Sequence, residues 1–165
     1  MHVRVIELPA CQVATTGPTP DPDPFAPGAI LARFDAWFSA RFDAWFSARA
    51  DPLALAPRDL MWQDGGDGPL VWSWLLAPGE DAADASWAVE PFSGGLYAAG
   101  VARDGDDADG ERVLGELRAW VEASPFDLDE SAARPVAFRV TTSPAAARVL
   151  GHHQLELLVP VREPA

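Results

Sequence analysis

Residues Ala85–Arg103 read "ASWAVEPFSGGLYAAGVAR". This stretch predicts a strand with a bulge at its two adjacent glycines, because a glycine inside a strand often marks such a site. An earlier stretch, Val5–Thr15 with the sequence "VIELPACQVAT", follows the same plan. The parts "VIELP" and "AVEP" of the two stretches share apolar residues followed by Glu and Pro. Both stretches return to apolar residues after this kink. The similarity indicates an internal duplication.

The segments that follow these two stretches also occur in the same order. After the first strand, from about Val3 to Thr15, a proline-rich loop leads to a helix from about Ala29 to Arg49 and to the strands "DLMWQD" and "PLVWSWLLAP". After the second come the acidic loop "DGDDADG", the helix "ERVLGELRAWVEAS" and the strands "RPVAFRVTT" and "HQLELLVPVRE". The order predicts one α+β domain over residues 1–165, with pseudo-twofold halves of about 1–80 and 85–165. Two helices would cover one face of an antiparallel sheet, with a ligand cleft where the halves meet.

Charge and composition exclude several classes of protein. The chain has 25 acidic and 12 basic residues, which gives a formal net charge of -13. A nucleic-acid backbone would be repelled and cationic small molecules would be attracted. The N-terminal residues lack the features of a signal peptide, and no apolar run is long enough for a membrane span. We therefore expect a cytoplasmic protein that binds neither nucleic acid directly nor a membrane.

Motifs for cofactors and metals are missing from the sequence. It contains no phosphate-binding loop, dinucleotide fingerprint or nucleophile elbow, so we expect no cofactor. His152 and His153 are adjacent on a predicted strand and would point to opposite faces, which argues against a shared metal ion. The acidic run from Asp104 to Glu111 does not have the spacing of a calcium-binding loop, and Asp109 within it is a candidate helix N-cap.

Tryptophan is abundant, with seven residues in the chain. Trp72 and Trp74 are two positions apart on a predicted strand and therefore share a face. That face is either a wall of the core or a platform for a ligand, and Trp62 on the preceding strand presents the same choice. A planar cation between indole rings would gain about 0.5–2 kcal/mol per contact.

A carboxylate lies in the middle of the last predicted strand. Alternation places Glu156 on one face together with Leu158, and Leu157 on the other. A buried carboxylate is costly unless it is paired. Glu156 therefore either lines a cavity and meets a ligand, or bonds to Arg139 or Arg162 across the sheet.

The predicted first helix contains an eight-residue phrase twice, in "ARFDAWFSARFDAWFSAR" from Ala32 to Arg49. On a helix the second copy is rotated by about 80° from the first, so the aromatic side chains cover a broad sector. Either the helix projects by two extra turns, or one copy enters the preceding loop. A projecting copy would expose Trp and Phe and favour self-association. The pattern leaves open whether Trp37 or Trp45 lies beside the cleft.

Three stretches together resemble the GyrI-like small-molecule-binding domain, which is also the effector-binding module of AraC-type and MerR-type transcription regulators. They are "ELPACQVAT", "FSGGLYAAGVAR" and "LELLVPV", and the likeness covers nearly the whole chain in order. The family's last strand has an acidic residue, three apolar or aromatic residues and Pro, which "ELLVP" from Glu156 to Pro160 matches. The resemblance implies that Glu156 lies at the base of the cleft, where it meets cationic or polar ligand atoms. Less directly, it places Tyr97 among the surrounding aromatic residues.

The function implied by the resemblance is small-molecule binding. The regulators carry a DNA-binding helix-turn-helix region ahead of this module, which here begins at residue 3, so we expect a stand-alone member that sequesters or senses a lipophilic, aromatic, cationic drug or toxin. The alternative is a hydrolase similar to relatives that open cyclopropane-containing genotoxins, with Glu156 as its acid or base. The expected ligand-binding residues are Glu156, Tyr97, Trp62, Trp72, Trp74, Trp37 and Trp45.

Overall fold

A computed structural model describes residues 2–19, 21–48, 58–65, 68–80 and 87–164, and for 41–48 it describes the backbone alone. The strands of these residues are β1 (Arg4–Leu8), β2 (Cys11–Thr15), β3 (Asp59–Gln63), β4 (Leu70–Leu75), β5 (Ala88–Phe92), β6 (Gly95–Arg103), β7 (Asp127–Leu128), β8 (Ala137–Val140) and β9 (Gln154–Arg162). The helices are α1 (Ile30–Ala48), α2 (Asp107–Glu122) and α3 (Pro144–Leu150).

The described strands form one antiparallel sheet in the order β1-β6-β9-β8-β3-β4-β2-β5, and β7 pairs with β9. This confirms the predicted α+β class. Two interrupted strands, β1 with β2 and β5 with β6, pair with each other from Arg4 opposite Ala99 to Thr15 opposite Ala88. Since β2 also pairs with β4 and β6 with β9, the hydrogen-bonded path returns to the strand where it began. The sheet therefore curls into a closed shape.

The interruptions fall at the kinks that the sequence predicts. Pro9 lies between β1 and β2, where its missing N–H removes one ladder hydrogen bond. Gly94 lies between β5 and β6 with a positive φ of 64°. A Cβ at Gly94 would come within 2.5 Å of the amide nitrogen of Ala10, so the two kinks fit closely against each other.

The sheet has a helix face and an inner face, each with its own core. On the inner face, the curl of the sheet brings distant strands together. On the helix face, α2 packs over β6 and β9, and α1 packs over β4. The inner core consists of Leu8, Val13, Leu60, Leu75, Tyr97, Ala99, Ala137 and Leu158.

Helix α1 contains both copies of the repeated phrase in one continuous helix, so neither copy enters the preceding loop. Phe34, Trp37 and Phe38 of the first copy pack in the core that also holds Trp72 and Trp74. The first copy therefore lies against the sheet. The side chains of the second copy from Arg41 onward, Trp45 included, lie outside the described residues.

Helix α2 begins four residues earlier than the sequence predicts. Its N-cap is Asp106, whose Oδ1 accepts a hydrogen bond from the amide of Asp109 at 3.1 Å. The expectation that Asp109 is the cap is therefore wrong. Asp109 lies in the first turn, and its carboxylate instead accepts hydrogen bonds from the amide of Arg103 and from the side chain of Arg112.

Two elements were not predicted: the short strand β7 and the helix α3, which connects β8 to β9. The signals for α3 are present in the sequence. Ser143 caps its N-terminus, Pro144 occupies the first turn, and Gly151 ends it in the left-handed conformation. No helix within the described ranges is long and apolar enough to cross a membrane.

Candidate functional site

A cleft of about 1830 Å³ lies on the helix face of the sheet, over the strands where the two halves of the sequence meet. Its floor follows the register of three neighbouring strands: Met61 of β3 is opposite Phe138 of β8, and Phe138 is opposite Leu157 of β9. Trp72 of β4 extends this row, since it is opposite Met61. The floor is therefore continuous and apolar.

One end of the cleft is an aromatic corner, which we define as Phe25, Phe38 and Trp72. The ring centroids of Phe38 and Trp72 are 5.5 Å apart, and those of Phe25 and Trp72 are 6.3 Å apart. Phe25 comes from the proline-rich loop and Phe38 from α1, so tertiary packing brings the three rings together. Rings at these distances interact favourably with each other, and they offer faces and edges to an aromatic ligand.

Helix α2 and the loops beside it form the opposite wall, with Leu114 and Arg118 contributed by the helix. Arg118 is bound to Glu130 through two hydrogen bonds of 2.8 Å, which neutralise much of its charge. Acidic groups outnumber basic ones around the cleft. Its described acidic lining residues are Asp35, Asp59, Asp64, Asp104, Asp106, Asp107, Glu111 and Glu130, and its described arginines are Arg103 and Arg118.

Asp59 is the acidic lining residue with the least exposure, at 5%. It is opposite Trp74 in the β3–β4 ladder, on the face that α1 covers. Its Oδ2 accepts a hydrogen bond of 3.1 Å from Nε1 of Trp72. Burial raises the pKa of Asp59, and the negative charge of Asp35 adds to the rise. The hydrogen bond from Trp72 and the positive charge of Arg139 lower the pKa and so partly oppose it.

The raised pKa of Asp59 predicts that Asp59→Asn increases stability at neutral pH relative to wild type. A carboxyl with a raised pKa in the folded state stabilises that state below its unfolded pKa of about 3.9. This contribution is lost as the pH rises through the folded pKa. Urea unfolding of both proteins at several pH values should show a difference that grows from acid to neutral pH. A difference that does not change with pH would contradict the prediction.

Two of the predicted ligand-binding tryptophans line the cleft. Trp72 forms part of the aromatic corner, and Trp62 lines the cleft while also packing against the inner core. Trp74 is fully buried behind the cleft, where Nε1 donates to Oε1 of Glu80 at 3.3 Å. The guanidinium of Arg58 lies 4.6 Å from the ring centroid of Trp74. Trp74 thus belongs to the core.

Trp37 and Tyr97 lie away from the cleft. Trp37 contacts Phe34 and Trp87, with ring centroids 5.2 and 6.1 Å apart. Tyr97 is buried on the inner face, and the guanidinium of Arg134 lies 5.1 Å from its ring centroid. Burial raises the pKa of Tyr97, although Arg134 partly opposes this rise.

Glu156 also lies on the inner face, in contact with two guanidinium groups. Its Oε2 accepts hydrogen bonds from Arg139, at 2.8 Å from Nε and 2.7 Å from Nη2. Its Oε1 is 2.5 Å from Nη2 of Arg4. Arg139 is directly opposite Glu156 on the neighbouring strand. This is the alternative in which Glu156 bonds to an arginine across the sheet. Strand β9 contributes Leu155 and Leu157 to the lining of the cleft. Glu156 points to the other face of this strand and is not part of the lining.

The sequence reasoning missed several lining residues, and Asp59 and Phe138 are the most informative. The signal for Asp59 is present in "DLMWQD", because strand alternation gives it the same face as Met61. Phe138 alternates with Arg139 in the same way. Sequence alone does not show that these two strands lie side by side. In the described part of the chain, no three His, Cys, Asp or Glu side chains are grouped as a metal site.

Comparison with known proteins shows which fold this is. No protein-family model and no curated protein matches the sequence. Several solved structures match along almost the whole chain, and three of them are compared with it. They are SAV2435 bound to tetraphenylphosphonium (12% identity, 98% of this chain and 94% of that chain, TM-score 0.53), the EcmrR C-terminal domain (11%, 99% and 98%, 0.56) and a hydrolase from Listeria innocua (14%, 97% and 91%, 0.59).

At these identities the likeness shows a shared fold. The agreement extends over both halves of the chain, because each match covers at least 97% of it. This agreement supports the fold that is expected from the GyrI-like resemblance. The chain has the fold of these proteins.

Proposed function

We propose that this protein binds lipophilic, aromatic, cationic small molecules in the cleft between α1 and α2, and that it sequesters or senses such compounds. The observation that carries the proposal is the combination of an apolar, aromatic floor with a lining rich in carboxylates. Aromatic surfaces attract flat or multi-ring ligands, and carboxylates in a partly dry cleft favour those with positive charge.

The shape of the cleft favours broad rather than sharp selectivity. Its floor consists of side chains without directional hydrogen bonds, such as Met61, Phe138 and Leu157. Each ring contact with a cation is worth about 0.5–2 kcal/mol, so several different ligands could reach useful affinity. One structure of the same fold, SAV2435, contains tetraphenylphosphonium, a compound of the proposed class.

The variant Val140→Phe, which fills part of the cleft, is expected to bind tetraphenylphosphonium at least about 10-fold more weakly than wild type. Val140→Phe adds a ring on β8, at a partly exposed position that lines the cleft, so the ring would take up space needed by the ligand. The measurement is titration of tryptophan fluorescence, to which Trp62 and Trp72 in the lining would respond. Isothermal calorimetry would give the affinity independently.

The matched control is Val89→Phe. Val89 is an exposed residue of β5, away from the cleft, so the same change there should leave the affinity within about twofold. Equal weakening by both substitutions would argue against binding in this cleft. A wild-type protein that binds neither tetraphenylphosphonium nor other aromatic cations would contradict the proposed function itself.

The hydrolase alternative has less support from the geometry. It requires Glu156 as an acid or base, yet both oxygens of this carboxylate are bonded to guanidinium groups on the face opposite the cleft. Both oxygens of this carboxylate are already occupied, and its access to a ligand in the cleft is blocked by the sheet. We therefore propose a structural role for Glu156.

A further inference from the structure

Asp59 combines three properties that no other described acidic residue of the cleft lining shares. It is buried, it belongs to a central strand, and its carboxylate is hydrogen-bonded to a ring of the aromatic corner. The other acidic lining residues lie on helices, turns and loops, with greater exposure. An exposed carboxylate is screened by water and salt, whereas a buried one acts in a lower dielectric and so exerts a stronger field.

The hydrogen bond from Trp72 gives this carboxylate a fixed position. The donor is Nε1 of the indole, and the ring of the same residue lies in the aromatic corner between Phe25 and Phe38. A negative charge and an aromatic surface are therefore held side by side. This arrangement matches a cation whose charge is surrounded by aryl groups, because both parts of the ligand are satisfied at once.

The charges that surround Asp59 leave its carboxylate available to a ligand. No ion pair joins Asp59 to a basic side chain among the described residues. Arg139 on β8 acts on it at longer range, and this guanidinium is bound to Glu156 on the inner face. Asp35 on α1 adds a second negative charge nearby, and Trp72 on β4 is neutral. A cationic ligand would relieve the repulsion between the two aspartates.

We propose that Asp59 is the residue that makes the cleft select cationic over neutral and anionic aromatic ligands. The inference rests on the proposed function and deepens it, because it assigns the charge preference to one carboxylate. It differs from the expectation that the resemblance gives, which assigns this role to Glu156 on the last strand.

The test uses ligands of the same shape and opposite charge. Tetraphenylphosphonium and tetraphenylborate each carry four phenyl groups around one central atom, and triphenylphosphine oxide is a neutral relative. Wild type is expected to bind the cation at least about 10-fold more tightly than the anion, since a buried carboxylate favours one and repels the other. In Asp59→Asn this preference should fall by about 10-fold, mainly through weaker binding of the cation.

The control variant is Asp127→Asn. Asp127 is exposed on β7 and lies outside the lining of the cleft, so screening should limit the change in affinity to about threefold or less. A thermal unfolding curve of Asp59→Asn checks that the variant is folded. The neutral ligand shows whether the substitution damages the aromatic corner. If the corner is intact, the affinity for triphenylphosphine oxide should change little.

The pH dependence gives a second readout. Tetraphenylphosphonium has a permanent charge, so a change in its affinity with pH must come from the protein. The affinity should rise with pH as Asp59 ionises, and this rise should be absent in Asp59→Asn. Because Asp35 also lines the cleft and its charge acts on Asp59, Asp35→Asn is measured alongside and should retain the rise.

The outcomes separate the inference from the function on which it rests. If Asp59→Asn keeps the preference for the cation, or weakens all three ligands equally, the assignment to Asp59 is overturned while binding in the cleft stands. If wild type binds none of the three ligands, the proposed function fails first. A preference that disappears in Asp59→Asn and persists in Asp127→Asn supports the inference.

Discussion

Glu156→Gln is expected to lower the free energy of unfolding by about 3–5 kcal/mol, the range for removing one partner of a buried ion pair. The carboxylate is only 3% exposed and the side chain of Arg139 only 10%. Glutamine has nearly the same shape but no charge, so the variant would remove the negative charge that Glu156 places against the buried guanidinium of Arg139. The resulting desolvation penalty is the reason for the large effect.

The comparison that isolates this effect is Arg4→Ala. Arg4 binds the same carboxylate, but its side chain is 55% exposed, so its loss should lower the free energy of unfolding by about 1 kcal/mol or less. Urea unfolding at neutral pH measures both variants. Replacing both partners, as in Glu156→Leu with Arg139→Met, should recover much of the loss, because both charges of this buried pair are removed together. If Glu156→Gln is as stable as wild type, the ion pair does not hold the inner face together.

Gly94→Ala should lower the free energy of unfolding by about 2–5 kcal/mol. The left-handed conformation of Gly94, with φ of 64°, costs a residue with a side chain about 1–2 kcal/mol. The new Cβ would also lie 2.5 Å from the amide nitrogen of Ala10 and 2.5 Å from the carbonyl oxygen of Leu8. These are backbone atoms of the paired strand, so the kinks themselves would have to separate, and the strain adds to the conformational cost.

Gly79→Ala is the matched control for this prediction. Gly79 has a similar φ of 79°, yet a Cβ there would have no atom of the described residues within 4 Å. Its substitution should therefore show the conformational cost alone, about 1–2 kcal/mol. Unfolding by urea compares the two variants directly. Equal losses at both positions would mean that the close contact between the two kinks contributes nothing to stability.

Together these predictions separate the closure of the sheet from the binding of a ligand. Glu156 and Gly94 act on the inner face and on the kinked strand pair, whereas Asp59 and Val140 line the cleft on the helix face. We expect substitutions in the first pair to change stability and those in the second pair to change affinity. Asp59→Asn should even stabilise the protein, as expected for a carboxylate buried for binding rather than for folding.

The sequence by itself predicted the order of the strands and helices, except for the short strand β7 and the helix α3. Alternation and bulge residues located both interrupted strands, whereas only the structure shows that these two stretches pair with each other. Alternation also predicted correctly that Leu157 points to one face of the last strand and Leu158 to the other. These features depend on local geometry, in which neighbouring residues in a strand point to opposite faces.

Tertiary structure alone decided which face of each strand meets the cleft. Glu156 has the same alternation whether it faces a ligand or Arg139, and only the position of the helices shows that the cleft lies on the side of Leu157. Asp59 becomes a candidate for the same reason, because α1 covers its face and places Phe38 beside Trp72. The pairing of distant strands and the side on which helices pack are long-range properties, and a pattern within one strand carries no information about them.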